Sequence, residues 1–302
     1  MKHRQKLFYL LLLIPVACAI WVVVYETQLN TNQKIYDKTR EEAFSTVSEP
    51  APESSVSTDS GTADASSEES ASDSSEVTSE ETISQQESPE ALKAASHTEE
   101  IADSAANDIV ATGSVNFAAL QEECPDICAY ISIEGTRIDY PIARSTTDDS
   151  YYLNHTIDGT AGYPGSIYIE SRNSADFSDW NTVVYGHNMR SGSMFGTLSE
   201  FRDADYMNAH PYAVVYTPSA TYIYTIFAAV TYNNRNIMTS FDFTKPNGRL
   251  SFLDSVNEAR SISDPYRSDV TVNEDSHLLT LSTCTSESSD RLIVLAVLTG
   301  QQ

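Results

Sequence analysis

Cys284 lies near the end of the run HLLTLSTCT (His277–Thr285), a β-type stretch that predicts a strand delivering the thiol to a cleft at its terminus. A thiol with a pKa near 8.5 is a weak nucleophile until an imidazole takes its proton, and an imidazole near 6.5 can return one to a leaving amine. Six histidines compete for that role. His3 belongs to the N-terminal flank and His97 to a Ser/Glu-rich stretch, while His155 (LNHTIDG) and His210 (AHPY) sit in turn-rich polar surroundings. His277 begins the Cys284 strand, and seven residues at about 3.3 Å each set it some 20 Å away. His187 remains, closing NTVVYGH, where Gly186 permits a bend. Arg291 follows Cys284 by seven residues and opens LIVLAVL; if TSESSD is a connecting loop, the two strands pair antiparallel and bring Cys284 and Arg291 to one end. Taken in isolation, Arg291 also reads as a solvated charge at a strand start.

Those residues need a scaffold, and the 187 residues from Asn116 fit one domain. Eight β-rich runs, at 129–133, 137–142, 166–170, 182–185, 212–216, 221–232, 277–281 and 291–298, separated by Gly, Pro, Asn and Asp turns, predict a mainly β sandwich or barrel. Helical patterning is sparse: Phe117–Glu122, Met194–Phe201, and Arg249–Arg260 (RLSFLDSVNEAR), with Asn247 and Gly248 available to begin the last. In CPDIC, Cys124 and Cys128 are four residues apart, and a local disulfide or two buried thiols remain open.

The N-terminal part is organised differently. Leu7–Tyr25 is uncharged over 19 residues, close to the roughly 20 that cross a bilayer as a helix. Lys2, Arg4 and Lys6 precede it, so residues 1–6 are expected in the cytoplasm, 7–25 as a transmembrane anchor and the rest outside. The alternative is a signal peptide cleaved after Ala17-Cys18-Ala19. Of the 18 Lys+Arg and 43 Asp+Glu that give a net charge of −25, residues 41–112 hold one Lys and 18 acids, beside 17 Ser and 7 Thr. Such a stretch cannot bury enough apolar surface to offset chain entropy, so residues 26–112 are expected as a disordered extracellular spacer ahead of a catalytic domain at 113–302. No basic cluster exists beyond the first residues, which excludes nucleic acid as a partner. The scattered acids of 113–302 predict no metal site, and no cofactor is expected.

NTVVYGHNM (Asn181–Met189), GSMFGTL (Gly192–Leu198), TLSTC (Thr280–Cys284) and Arg291 resemble the His, Cys and Arg motifs of sortases. CPDICAYISIEGTRIDYPI (Cys124–Ile142) and GYPGSIYIE (Gly162–Glu170) extend the resemblance over nearly all of the folded part. Sortases are membrane-anchored transpeptidases of Gram-positive bacteria, and the resemblance implies an eight-stranded sortase-like β-barrel with short helices. It points to class B, which carries an extra helix between the sixth and seventh strands, where Arg249–Arg260 lies; a class C enzyme would carry an N-terminal lid. The sequence departs from the family at Cys124 and Cys128, at Asp149, and at Thr285, where an acid is common.

The resemblance implies that the Cys284 thiolate attacks the Thr carbonyl of a C-terminal sorting signal (NPxTG/N- or SPxTG-like) on secreted proteins. His187 protonates the departing amine, and Arg291 supplies donors where the oxyanion develops. An amino group of peptidoglycan or its lipid-linked precursor then takes the acyl group. Leu153 and Ser282 are implied to line the peptide groove. Two rivals stand beside this reading. An L,D-transpeptidase-like cell-wall enzyme also orders His, Cys and Arg but shows Ser-His-Gly-Cys where this chain has Leu281-Ser282-Thr283-Cys284, and a tethered binding module would make Cys284 merely structural.

Overall fold

The computed structural model describes residues 2–44 and 115–302. Helix α1 runs Lys2–Ala43. From Leu29 onward it turns one face to the rest of the fold: Asn32, Tyr36, Thr39 and Ala43 are buried and Leu29 packs beside them, the three-to-four-residue spacing of a helical stripe. Two of these positions are polar, so the stripe carries little apolar signal. Residues 26–43 are therefore not spacer, as the sequence reading expected, but the second half of α1. The rest of the expected spacer lies outside the described residues. The Ala43 carbonyl accepts a hydrogen bond from the Asn116 amide at 2.7 Å, so the chain leaves the fold at Ala43 and resumes beside it.

The anchor expected at residues 7–25 is not supported as a membrane span: among the described residues no helix is long and apolar enough to cross a membrane. Residues 7–13 and 15 of that stretch have side chains that lie outside the described ones.

After α2 (Phe117–Glu123), capped by the Asn116 side chain, eight strands follow: β1 (Ile127–Ser132), β2 (Asp139–Ala143), β3 (Ile167–Ile169), β4 (Asn181–Tyr185), β5 (Tyr212–Tyr216), β6 (Thr221–Asn233), β7 (Leu278–Cys284) and β8 (Asp290–Gln301). They close into a barrel in the order β1-β2-β3-β4-β7-β8-β6-β5, so no sheet edge is left unpaired. All eight strands correspond to the β-rich runs of the sequence, with ends shifted by a few residues. Pairs β2/β3 and β4/β7 are parallel, the remainder antiparallel. The interior is filled by Ile131, Ile142, Ile167, Val184, Ala229, Leu279, Leu281 and Val294.

Short helices decorate the connections. A 3-10 turn at Tyr151–Leu153 precedes β3. The expected Met194–Phe201 helix is a 3-10 segment at Gly196–Arg202, followed by α3 (Ala204–Ala209). Between β6 and β7 lie α4 (Ile237–Ser240) and α5 (Pro246–Ala259). Helix α5 is the extra helix that the resemblance implied, begun by Pro246 at its first position and not by Asn247, as suits a residue without an amide hydrogen. Its Phe252 and Val256 bury against Trp180, Phe227 and Tyr232 in a second apolar cluster outside the barrel.

Candidate active site

Strand β7 delivers the thiol. Its first six residues are buried and Cys284, the last, is exposed. The antiparallel β7/β8 register sets Cys284 directly opposite Arg291, the pairing that the short connecting loop predicts. That loop is tied by Thr285, whose Oγ1 donates to the Glu287 carbonyl at 3.0 Å; the hydroxyl that departs from the family pattern has this local partner. The Arg291 Nη1 donates to the Asp290 carbonyl at 2.8 Å and the Ser288 carbonyl at 3.3 Å, which holds the guanidinium at the mouth of the same loop.

The parallel β4/β7 pair brings in the histidine. Tyr185 pairs with Ser282, the Gly186 amide donates to the Ser282 carbonyl at 3.2 Å, and the Thr283 hydroxyl donates to the Gly186 carbonyl at 2.7 Å. Parallel strands point their C-terminal ends the same way, so His187 and Cys284 leave the barrel at one rim. Asn188 completes the junction by donating through Nδ2 to the Cys284 carbonyl at 2.8 Å. The half-buried His187 ring places Nε2 2.9 Å from the Leu153 carbonyl and lies under the Tyr163 ring, centroids 4.8 Å apart.

A cavity of about 210 Å³ opens beside the thiol, lined by Cys284, Arg291, Ser282 and Leu153 together with Tyr168, Tyr185, Glu170 and Asn236. Four of the five residues singled out in the sequence thus share one cavity, while His187 stands at its rim. A larger cavity, about 550 Å³, lies between α1 and the barrel near Tyr36, Arg40 and Asp139. It has no thiol in its lining, so the smaller one is the candidate site. Tyr168 and Tyr185 stack at 5.4 Å. Burial first, and the Glu170 carboxylate second, raise both phenols above their ordinary range, so they act as neutral hydrogen-bonding walls.

Several side chains of this site were missed by the sequence reading. Asn188 lay inside a quoted motif, but its bond to Cys284 spans strands distant in sequence. Tyr163 and Asn236 come from loops, where residue type alone carries no such signal. The remaining cysteines resolve plainly: Cys124 and Cys128 are free and buried, Cys124 within 3.4 Å of the Tyr152 hydroxyl and Cys128 against the Ile142 carbonyl at 3.5 Å.

Residues 131–299, more than half of the chain, match the family model of the sortase domain. The chain belongs to the sortase family. A relative, sortase B of Listeria monocytogenes, is 34% identical over 168 residues, 56% of this chain and 66% of its own length; the chain thus spans just under two thirds of that protein. Sortase B from B. anthracis in complex with AAEK2 is similar at 32% identity and TM-score 0.55, over 62% of this chain and 83% of the other. A Staphylococcus aureus sortase B-substrate complex gives 27% and 0.54, over 61% and 84%. These likenesses place the chain in class B, as its residues implied, and set aside the L,D-transpeptidase-like reading.

Proposed function

We propose that the chain is a class B cysteine transpeptidase that cleaves a sorting signal near the C-terminus of secreted proteins and joins them to an amino group of peptidoglycan or its lipid-linked precursor. One observation carries the reading: an exposed thiol at the end of β7, opposite Arg291 of β8, with His187 leaving the same rim after β4, next to a cavity of about 210 Å³. The Cys284 thiolate attacks the carbonyl carbon of the signal's Thr, forming the C–S bond. Arg291 turns its donors from loop carbonyls to the oxyanion, a contribution of roughly 3 to 4 kcal/mol for one such donor. His187 gives its proton to the departing amine as the C–N bond breaks, then takes one from the incoming amine that releases the thiolate. Water in place of the amine gives hydrolysis. Leu153 and Ser282 line the groove that takes the signal, and a similar sortase B, described as a substrate complex, supports that use of the site.

The domain works outside the cell, attached by the N-terminal segment. Supporting this are the uncharged stretch at residues 7–25 and the Lys2, Arg4 and Lys6 that precede it. Retention in membranes after carbonate washing, with the domain open to external protease, is the expected result; a mature N-terminus near Ala19 shows a cleaved signal instead.

The activity is tested with quenched peptides of the NPxTG/N and SPxTG kinds, with and without an amine acceptor. Cleavage that needs Cys284 and turns to transpeptidation with amine is expected; no cleavage, or cleavage that survives Cys284→Ala, overturns the reading. His187→Ala and Arg291→Ala each retain the fold and lose roughly 10²-fold or more in kcat, the scale of one lost transition-state donor or proton carrier.

A further inference from the structure

Two contacts fix the His187 imidazole, and both come from one loop. The Leu153 carbonyl meets Nε2 at 2.9 Å, and the Tyr163 ring lies over the imidazole at 4.8 Å with a 59° tilt. A carbonyl only accepts, so Nε2 carries a proton and Nδ1 is the nitrogen left to exchange one with thiol or amine. A half-turn of the ring about its Cβ–Cγ bond would put the Cε1 carbon where Nε2 stands and break the Leu153 bond, and the Tyr163 ring packed beside the imidazole stands in the way of that turn.

The loop is itself clamped. The Gly162 amide donates to the Asn154 carbonyl at 2.7 Å and the Ser166 hydroxyl to the His155 carbonyl at 2.8 Å. Gly165 has φ +65°, and a Cβ there would meet the Leu153 carbonyl oxygen at 2.4 Å, so only glycine allows the loop to fold back this closely. From outside, α1 holds it: the Asn32 Nδ2 donates to the Tyr163 carbonyl at 2.9 Å and the Tyr36 hydroxyl to the Gly165 carbonyl at 2.5 Å. Asn32 is buried on the face of α1, where an amide is costly unless it is hydrogen-bonded. The bond to Tyr163 answers why that position is not apolar.

We infer that Tyr163 is a positioning residue for His187, and that α1, through Asn32, holds Tyr163 in place. Tyr163 is absent from the lining of the cavity beside Cys284, and its ring meets the imidazole instead. The catalytic consequence rests on the transpeptidase reading; the placement of the imidazole does not.

The experiment uses the full chain and two readouts. In steady-state transpeptidation, Tyr163→Ala lowers kcat roughly 10- to 100-fold, the cost of a small misplacement of a reacting group, with KM unchanged, and Tyr163→Phe, which keeps the ring, restores most of the rate. Asn32→Ala gives a smaller fall of the same kind. In nitrogen NMR of the imidazoles, the wild type shows His187 as the Nε2–H tautomer, and Tyr163→Ala shifts it to a mixture of both. An unchanged kcat in Tyr163→Ala, a loss that Phe does not rescue, or an unchanged tautomer ratio overturns the inference. An unchanged kcat in Asn32→Ala overturns the part played by α1. If the wild type cleaves no sorting peptide, the proposed function fails and the tautomer ratio alone decides the positioning.

Discussion

Cys128 and Cys284 are the same residue type in opposite settings. Cys284 stands exposed at a strand end, whereas burial pushes the Cys128 thiol up to about 12 from an ordinary value of 9.0. A thiol held neutral is neither a nucleophile nor a ready disulfide partner. Its folded-state pKa lies above the unfolded one, so the stability it contributes is fully present below about pH 9 and is lost as pH rises toward 12. Denaturant midpoints measured from pH 8 to 11 should therefore fall less steeply for Cys128→Ala than for the wild type. A thiol reagent should modify Cys284 in the native domain and spare Cys128; equal slopes, or rapid modification of Cys128, contradict this assignment. That Cys284, His187 and Arg291 meet at one end of the barrel was legible because their separations fit strand geometry. His187 could be picked by distance alone, since His277 lies a whole strand from Cys284. Tyr163 and Asn188 were not legible, because their roles depend on contacts between segments that the sequence keeps apart.

The connection between β6 and β7 forms one wall of the cavity, and its hold on the barrel is local. The Asn236 Nδ2 donates to both oxygens of Glu170, at 2.7 and 3.0 Å, from the start of α4 to the end of β3. The same side chain caps α4, its Oδ1 accepting from the Thr239 amide at 3.0 Å. Asn236→Ala removes the latch and the cap together. It should cost about 1 kcal/mol of stability and raise KM for the peptide several-fold, with kcat changed less, because the wall binds substrate and does not touch the reacting atoms. Thermal unfolding and steady-state kinetics check the two effects, and an unchanged KM removes the latch from the groove. The strands themselves were readable from β-branched and aromatic runs between turn residues. Their order around the barrel was not, since β7 inserts between β4 and β8 and a periodicity of two says nothing about which neighbour a strand takes. Helix α5 was readable from its apolar spacing, and only its start was misplaced, because Pro246 competes with Asn247 as an opening residue.

At the scale of the whole chain, charge and composition led the sequence reading to treat residues 26–112 as one extended spacer between anchor and domain. Helix α1 changes that geometry. Its second half packs on the barrel through Asn32, Tyr36 and Ala43, and Arg40 pairs with Asp139 across the junction at 2.6 Å. The chain then returns at Asn116 to within a hydrogen bond of Ala43. A segment whose two ends meet cannot set the distance between what lies before and after it; that distance is fixed by α1. Residues 45–114 therefore join two adjacent points of one folded unit, and for a flexible connection the closing entropy grows as 1.5 RT times the logarithm of its length. Replacing residues 46–113 with a Gly/Ser linker about ten times shorter should stabilise the fold by about 2 kcal/mol and leave kcat and KM for a sorting peptide unchanged. Urea unfolding and peptide kinetics on the shortened chain make the comparison. A shortened chain that loses stability, or in which Asn32→Ala no longer affects His187, would mean that α1 does not pack on the barrel as a continuous part of the fold.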